Sequence, residues 1–352
     1  MAHVAIVGAG VMGTALAWPL SDNGHRISLV GTPLDREIIE EAKSRYRHPK
    51  LGRDLPPGVT AYHAEELGTA VEDADLIVSG VSSWGVDWIA DVLAKQLGRG
   101  RDVIGVTKGL RSDDGGEVEI FPRVLARQVP ESLRETCSFM AVGGPCIAGE
   151  LAGRRHSCVV FAAEEKEAAE RVARLFRTDY YHVWSSADLW GLELSVALKN
   201  AYVLGVGMAN GMLVAAGGAD EAGAVMHNPA AATFAQALYE MEQILTALGG
   251  TPAHAHGLPG AGDQYVTAMG GRTLRLGTLI GRGYRYSEAR EMMAGETLEA
   301  VAIIDAMSRV YPRLQREGLV RDGELPLMET LIAAITEDVV VTLPWERYFA
   351  SL

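Results

Sequence analysis

The stretch Val4-Ala5-Ile6-Val7-Gly8-Ala9-Gly10-Val11-Met12-Gly13 places a glycine-rich turn directly after a short apolar strand and before a helical segment. Gly8 lets the chain turn tightly out of the strand, Gly10 lets the backbone approach a pyrophosphate, and Gly13 lets the helix pack against the strand. The helix N-terminus then faces the anion, because its first N–H groups have no partner within the helix. We therefore predict a dinucleotide site whose loop contacts come from Gly8, Gly10, Val11, Met12 and Gly13.

Composition limits the other function classes. The chain has 352 residues, of which 48% are hydrophobic and 22% are charged, so it is long enough for two globular domains. Its net charge of −13 argues against a nucleic-acid partner and against anionic lipid, since both favour excess Lys and Arg. No apolar run reaches the roughly 20 residues of a membrane span, and no signal peptide precedes the first strand. Three cysteines without a CxxC pair indicate a reduced, cytoplasmic protein.

Residues 1–188 alternate between strand-like and helical segments, with helices predicted over Val11–Ser21, Gly115–Val129 and Lys166–Phe176 and a strand at Val59–Tyr62, among others. This alternation predicts an α/β fold, in which a Rossmann-type, doubly wound parallel sheet places its ligands at the carboxyl ends of the strands. From about Leu189 the strand-like runs disappear and helical periodicity continues to the end. The helices predicted in the second half include Pro326–Thr336. We therefore predict a dinucleotide-binding domain over 1–188 and an all-helical substrate domain over 189–352.

Lys199 and Asn200 stand out in the helical half, because they interrupt an apolar, Gly- and Ala-rich helix predicted over Leu192–Ala209. An ammonium group is costly to bury without a partner, so Lys199 either lies on a solvated face or has a buried partner and a chemical role. A desolvated Lys can donate a proton to a carbonyl oxygen while a hydride reaches the carbon. In a dinucleotide-binding protein we favour the chemical role.

Asp263 lies in the glycine-rich turn Gly260-Ala261-Gly262-Asp263, where capping of the next helix would be the simplest explanation. A helix that begins at Asp263 places Thr267 on the same face, four residues later. Arg272 follows soon after, and its guanidinium can hold a phosphate or carboxylate through two parallel hydrogen bonds. A surface position for Arg272 is the alternative.

Lys108 and a histidine pair complete the set of candidates. Lys108 follows the strand predicted at Asp102–Thr107, where it either attracts an anion or is simply solvated. His254 and His256 could suggest a metal, but no further His, Cys or Asp lies nearby at ligand spacing, so we predict no metal site.

Taken together, these segments resemble the NAD(P)-dependent glycerol-3-phosphate dehydrogenase family over nearly the whole chain. The matching segments are Gly8–Ala15, Val106–Leu110, Gly144-Pro145 with Ala148 and Glu150, Ala197–Asn200, and Gly257-Leu258 with Gly262-Asp263. The archaeal-type branch is the most similar, through Gly31-Thr32 and His48–Gly52.

The resemblance implies a role for each candidate residue. Lys199 would be the proton donor to the carbonyl, and Asp263 would hold and tune it. Lys108 would line the substrate site and assist catalysis, while Asn200, Thr267, Arg272 and Thr273 would contact the substrate. The implied cofactor contacts beyond the glycine loop are Ser82, Ala148, Arg272 and Glu299.

Several substrate-side segments depart from the family pattern, among them Gly257–Asp263 and Glu296–Ala300. Thr273 follows Arg272 where the family has Asn, and Gln264 follows Asp263 where an apolar residue is usual. A related dehydrogenase that acts on another hydroxy acid or polyol phosphate is therefore an alternative, and a non-catalytic dinucleotide-binding protein is a second.

The choice between NAD and NADP rests on the end of the second strand. An acidic residue there would bind the ribose 2′-hydroxyl of NAD, whereas a basic one would favour the phosphate of NADP. Gly31-Thr32 offers neither, and Asp35-Arg36 contains one of each. Thr32 occupies a place where many relatives carry Arg, which favours NAD slightly.

We predict a cytoplasmic, metal-free NAD(P)-dependent oxidoreductase that interconverts sn-glycerol 3-phosphate and dihydroxyacetone phosphate. Its partner is a small phosphorylated substrate rather than nucleic acid or membrane. Apolar residues on the C-terminal helices would suit a homodimer, although core packing explains the same pattern.

Overall fold

The computed structural model describes residues 1–97, 101–218 and 227–349. The chain divides into two compact units, one formed by Met1–Lys108 with Ile120–Leu192 and the other by Gly109–Glu119 with Glu193–Leu352. Each unit has its own secondary-structure class.

The first unit is an α/β layer structure built on an eight-stranded sheet. Its strands are β1 (His3–Val7), β2 (Arg26–Val30), β5 (Val59–Tyr62), β6 (Leu76–Ser79), β7 (Asp102–Gly105), β10 (Phe139–Gly143), β11 (Ser157–Ala163) and β12 (Tyr181–Ser186). Two further strands, β3 (Arg47–His48) and β4 (Arg53–Asp54), form a small separate hairpin. The sheet order is β12-β11-β10-β7-β6-β1-β2-β5. The Rossmann-type prediction is confirmed, with one difference: β10 and β11 pair antiparallel, whereas the other pairs are parallel.

Helices cover both faces of this sheet. They are α1 (Val11–Ala15), α2 (Ala17–Asp22), α3 (Arg36–Arg45), α4 (Leu67–Val71), α5 (Val86–Gln96), α6 (Phe121–Gln128), α7 (Glu131–Arg134), α8 (Ala148–Ala152) and α9 (Lys166–Phe176). Alternate strand residues belong to different hydrophobic clusters, since Ile6 and Val78 lie in one cluster and Val7 and Ile77 in the other. This alternation follows from the period of two along a strand.

Two predicted helices have different bounds in the structure. The helix predicted over Val11–Ser21 is interrupted at Leu16, because Pro19 has no N–H with which to bond back along the helix. The helix predicted from Gly115 begins only at Phe121, because Val118–Ile120 form a strand. Pro122 lies in the first turn of the helix, where its missing N–H costs little.

The second unit is mainly helical. Its helices are α10 (Leu189–Ala215), α11 (His227–Ala247), α12 (Ala253–His256), α13 (Asp263–Ala268), α14 (Arg272–Gly281), α15 (Tyr286–Met292), α16 (Glu299–Arg316) and α17 (Pro326–Thr336). It also contains the hairpin formed by β8 (Leu110–Ser112) and β9 (Val118–Ile120). Ser112 fixes β8 to α16, because its hydroxyl donates to the carbonyl of Ala306 and accepts from Arg309 Nε. No helix within the described residues combines the length and apolar character needed to cross a membrane.

Helices α10 and α14 pack with their backbones in close approach through two pairs of glycines, Gly207 and Gly211 on α10 and Gly277 and Gly281 on α14. A Cβ atom added to any of these four glycines would lie 2.0 to 2.5 Å from a backbone oxygen of the opposite helix. The Gly-rich composition of the α10 sequence therefore reflects a helix–helix contact that only glycine permits.

Candidate active site

The glycine-rich loop after β1 is held by backbone packing that excludes side chains. Gly8 has a φ of +109°, and a Cβ there would lie 2.7 Å from the carbonyl carbon of Gly80. A Cβ on Gly13 would lie 3.0 Å from the Gly8 carbonyl oxygen. At Gly10 a single atom of the described residues, the Gly80 oxygen at 3.5 Å, lies within 4 Å of an added Cβ, so the space beyond Gly10 is open. Gly8 and Gly13 are thus fixed by close backbone packing, while Gly10 borders open space.

A cavity of about 400 Å³ adjoins this loop in the first unit. It lies beyond the carboxyl ends of β1, β2 and β6, where a parallel sheet of this type places its ligands. Its lining residues are Gly8, Gly10, Thr32, Pro33, Leu34, Asp35, Gly80, Val81, Ser82, Trp84, Gly85 and Trp88. The open face of Gly10 and the apolar rim fit a dinucleotide, whose pyrophosphate needs close backbone and whose adenine needs apolar surface.

Asp35 is a lining residue whose position the sequence did not reveal. Its carboxylate oxygen Oδ2 accepts hydrogen bonds from Thr32 N (2.9 Å), Thr32 Oγ1 (2.7 Å) and Ala9 N (3.2 Å). The turn after β2 therefore brings this carboxylate back to the strand end and against the glycine loop. The Thr-x-x-Asp spacing was the available signal, since short polar side chains often close such turns on backbone N–H groups.

The remaining predicted cofactor residues are placed differently from one another. Ser82 lines the cavity, whereas Val11 is 39% exposed at the start of α1. Ala148 is the first residue of α8, a helix that packs against α1. Glu299, the first residue of α16, belongs to the second unit.

Lys108 ends a loop that is tied to the cavity wall. The Thr107 hydroxyl donates to the Val81 carbonyl at 2.7 Å, which joins the loops that follow β7 and β6. Lys108 comes next in the chain and is half-buried. It therefore lies beyond the carboxyl ends of the strands, as its sequence position predicts.

Lys199, Asp263 and Thr267 form a buried polar cluster in the second unit. The Lys199 ammonium donates to Asp263 Oδ1 at 3.0 Å and to Thr267 Oγ1 at 2.7 Å. The Lys199 and Asp263 side chains are only 5% and 3% exposed. Lys199 therefore does not lie on a solvated face, and the ion pair satisfies charges that would otherwise be costly to bury.

The local backbone explains how Asp263 and Thr267 reach the ammonium group. Residues Leu258–Gly262 form a π-helical turn, a feature that is common at functional sites. A Cβ on Gly260 would lie 2.1 Å from the Ala255 oxygen, so only glycine fits this turn. The turn passes directly into α13, where Asp263 and Thr267 share a face, and the Thr267 hydroxyl donates back to the Asp263 carbonyl at 2.7 Å. That bond commits the hydroxyl hydrogen and leaves its oxygen to accept from Lys199.

Buried amide groups flank this cluster along both chain segments. Asn200 is 5% exposed, and its Nδ2 has no hydrogen-bond partner among the described residues. Gln264 is fully buried, and neither of its side-chain polar atoms has a partner within the described part of the chain. Unpaired buried amides are uncommon, and a bound water or ligand would satisfy them.

Arg272 and Thr273 open α14 directly after Gly271, whose φ is +96°. Arg272 is exposed, and its guanidinium makes no ion pair with the described residues. Two of the backbone N–H groups in this first turn belong to Thr273 and Leu274, and such groups have no partner within a helix. The start of α14 can thus accept an anion.

His254 and His256 lie in the short helix α12. His256 contacts Glu242 at 2.8 Å on the protein surface. No group of three metal-ligating side chains occurs within residues 1–97, 101–218 and 227–349.

Comparison with known proteins identifies the family that shares these features. The N-terminal profile of the NAD-dependent glycerol-3-phosphate dehydrogenase family matches residues 3–169, and its C-terminal profile matches residues 188–343. The NADP(+)-dependent glycerol-3-phosphate dehydrogenase of Archaeoglobus fulgidus is 33% identical over 290 residues, which are 82% of this chain and 82% of that protein. This likeness confirms the resemblance to the archaeal-type branch.

A bacterial relative is named for the same activity, and a solved structure has the same fold. A Bacillus cereus protein named glycerol-3-phosphate dehydrogenase (NAD(P)+) is 30% identical over 321 residues, 90% of this chain and 88% of that protein. The crystal structure of glycerol-3-phosphate dehydrogenase from Coxiella burnetii matches with a TM-score of 0.77 at 21% identity, covering 99% of this chain and 98% of that one. The structural match supports the fold.

Proposed function

Because this chain belongs to the NAD-dependent glycerol-3-phosphate dehydrogenase family, we propose that it interconverts sn-glycerol 3-phosphate and dihydroxyacetone phosphate. The observation that carries the proposal is the buried contact of Lys199 with Asp263 and Thr267. Asp263 and Thr267 hold this ammonium group in its charged form, and the glycine-rich loop of the same chain adjoins a cavity that fits a dinucleotide. The alternative of a related dehydrogenase for another substrate is not favoured, because both halves match the same family.

In this proposal Lys199 Nζ is the proton donor. The nicotinamide of the bound cofactor supplies the hydride to the central carbon of dihydroxyacetone phosphate. Lys199 gives its proton to the carbonyl oxygen, which becomes the secondary hydroxyl, and takes it back in the reverse direction. Asp263 and Thr267 fix the ammonium group in position and stabilise its charged form before transfer.

Arg272 and Lys108 would offset the charge of the substrate phosphate. Arg272 is exposed at the start of α14 and free of ion pairs with the described residues, so its guanidinium can bind two phosphate oxygens at once. Thr273, next in the same turn, would add a hydroxyl donor in place of the amide usual in the family. Asn200, whose Nδ2 is unpaired among the described residues, would donate to a substrate oxygen.

NAD is the proposed cofactor of the two. The cavity lining contains the carboxylate of Asp35 and no basic residue, which suits a free ribose hydroxyl better than a phosphate. The chain has three cysteines without a CxxC pair, and the described residues contain no disulfide. Both features suit a reducing compartment, so we place the enzyme in the cytoplasm.

Steady-state kinetics test the proposal directly. The purified protein should oxidise NADH in the presence of dihydroxyacetone phosphate, and unphosphorylated three- and four-carbon ketones should react much more slowly. NADPH is run in parallel at the same ionic strength. Absence of turnover with dihydroxyacetone phosphate, in a sample shown to bind NADH, would reject the substrate assignment.

The role of Lys199 is tested by Lys199→Met. We expect kcat to fall by about 10² to 10⁴, the usual contribution of a general acid, while NADH affinity is unchanged. Because Lys199→Met leaves Asp263 buried without its ion pair, the double variant Lys199→Met/Asp263→Asn controls for misfolding and should be equally inactive. Lys166→Met, at an exposed position on α9, should retain full activity. Loss of NADH binding in the Lys199 variant would contradict the assigned role.

A further inference from the structure

We propose that Asp35 selects NAD(H) over NADP(H) in this enzyme. The inference rests on the proposed function, because it concerns the cofactor of that reaction. Family membership does not decide it, since one relative is named NADP(+)-dependent and another is named for NAD(P)+.

The Asp35 carboxylate lies beside the glycine-rich loop. Its Oδ2 is 3.2 Å from the backbone nitrogen of Ala9, the residue between the first two glycines of the loop. The same oxygen accepts from the backbone and side chain of Thr32, just beyond the end of β2. The carboxylate is therefore fixed between the phosphate loop and the second strand, which is where a dinucleotide places its adenosine ribose.

The two oxygens of the Asp35 carboxylate differ in their hydrogen bonds. Three donors occupy Oδ2, while Oδ1 has no donor among the described residues, and Asp35 lines the cavity. A ribose 2′-hydroxyl can donate to this oxygen. A 2′-phosphate has no proton to donate at neutral pH and carries a like charge, so it would be repelled.

The cavity lining offers no cation that would offset the charge of a 2′-phosphate. None of the twelve lining residues is basic. Arg36, the next residue along the chain, pairs with Glu65 at 3.0 Å on the surface. His48 lies beside the loop, where Nε2–H donates to the Ala9 carbonyl. Burial lowers the pKa of this imidazole, so it is uncharged at neutral pH.

The substitution Asp35→Asn isolates the charge. The Asn carbonyl oxygen can accept the three hydrogen bonds of Oδ2 and keep the turn in place, while the negative charge is removed. Asp54→Asn is the matched control, because Asp54 is a carboxylate of the same unit that is 78% exposed and does not line the cavity.

The test measures binding of two cofactor fragments, 5′-AMP and 2′,5′-ADP, by isothermal titration calorimetry at constant ionic strength. The wild-type protein should bind 5′-AMP at least about tenfold more tightly than 2′,5′-ADP, and Asp35→Asn should lower this ratio by about tenfold. Asp54→Asn should leave the ratio unchanged. The ratio of kcat/KM for NADH and NADPH should follow the same order among the three proteins.

Each contrary result has a distinct meaning. Equal or tighter binding of 2′,5′-ADP by the wild-type protein would refute NAD selection, while dehydrogenase activity with NADPH would leave the proposed function standing. An unchanged ratio in a folded Asp35→Asn protein would show that another group makes the selection. Failure of the wild-type protein to bind either fragment or NADH would reject both this inference and the proposed function.

Discussion

The stability of the helical unit should depend on pH through Glu240. It is a fully buried carboxylate on α11 whose two oxygens accept four hydrogen bonds. The donors are Tyr202 Oη (3.1 Å), Gln236 Nε2 (2.9 Å), Leu327 N (2.6 Å) and Met328 N (2.8 Å). The last two donors are backbone N–H groups in the first turn of α17, which have no partner within that helix. Glu240 therefore fixes the start of α17 to α10 and α11.

Burial raises the pKa of Glu240 from 4.5 to about 7, since the loss of hydration outweighs the four donors. The folded protein therefore holds a proton at Glu240 between pH 4.5 and about 7 that the unfolded chain has lost. Its contribution to stability is complete below the lower value and is lost as the pH rises through the upper one. One pKa unit corresponds to about 1.4 kcal/mol, so the full effect is roughly 3 kcal/mol.

Urea denaturation of the wild-type protein and Glu240→Gln across this pH range measures the effect. Both oxygens of protonated Glu240 can still accept a hydrogen bond, whereas the amide nitrogen of Gln cannot, and this loss costs about 1–3 kcal/mol. Because Gln does not titrate, the advantage of the wild-type protein should shrink by about 2.5 kcal/mol between about pH 5 and pH 8. Glu337→Gln, at an exposed position after the end of α17, should show no such trend. Parallel curves for the wild-type protein and Glu240→Gln would show that Glu240 does not titrate in this range.

Two further substitutions test packing and cofactor contact. Gly277→Ala places a Cβ 2.1 Å from the backbone oxygen of Leu204, so α10 and α14 must separate. We expect the free energy of unfolding to fall by about 1–3 kcal/mol, with a lower melting temperature. Gly270→Ala, whose Cβ meets no atom of the described residues within 4 Å, should melt nearly as the wild-type protein does. Trp84 is 82% exposed and lines the cavity beside the glycine-rich loop, the proposed cofactor site. Removing a ring that stacks on a base costs about 1–3 kcal/mol. Trp84→Ala should therefore weaken NADH binding in titration calorimetry by tenfold or so, and Trp184→Ala, 52% exposed but outside the lining, should bind NADH normally. Equal melting of the glycine variants, or equal affinity of the tryptophan variants, would contradict these two expectations.

The fold of each unit could be predicted from sequence wherever hydrophobic periodicity is long and regular. Lys166–Phe176 and Pro326–Thr336 match the predicted helices residue for residue, and Val59–Tyr62 matches the predicted strand. The antiparallel pairing of β10 with β11 was not predicted, because a buried apolar strand has the same residue pattern in either direction.

The hairpin Gly109–Glu119 also lay beyond sequence patterning. It falls within the strand-rich half of the sequence, yet it belongs to the helical unit. Ser112 contacts α16 almost two hundred residues later in the chain. Contacts over such a separation leave no periodic signal in a single sequence.

The candidate site shows the same division between local and distant information. Asp263 and Thr267 could be paired in advance because a four-residue interval on a helix fixes a common face. Their contact with Lys199, 64 residues earlier for Asp263, followed only from the family resemblance until the structure gave the distances. Asp35 is a sequence neighbour of the strand end, but its orientation depends on a turn closed by Thr32 and Ala9.

The glycine pairs of α10 and α14 connect this packing to the proposed chemistry. Lys199 lies two turns before Gly207 on α10, and Arg272 lies about one turn before Gly277 on α14. A contact that admits no Cβ fixes both the separation and the register of the two helices, since any slip would bring side chains against backbone oxygens. Lys199 and Arg272, the proposed proton donor and the proposed phosphate ligand, are therefore held on helices whose relative position is set by four glycines. That constraint explains why a helix carrying a buried Lys is also rich in glycine, at a cost in helix propensity of roughly 1 kcal/mol per glycine.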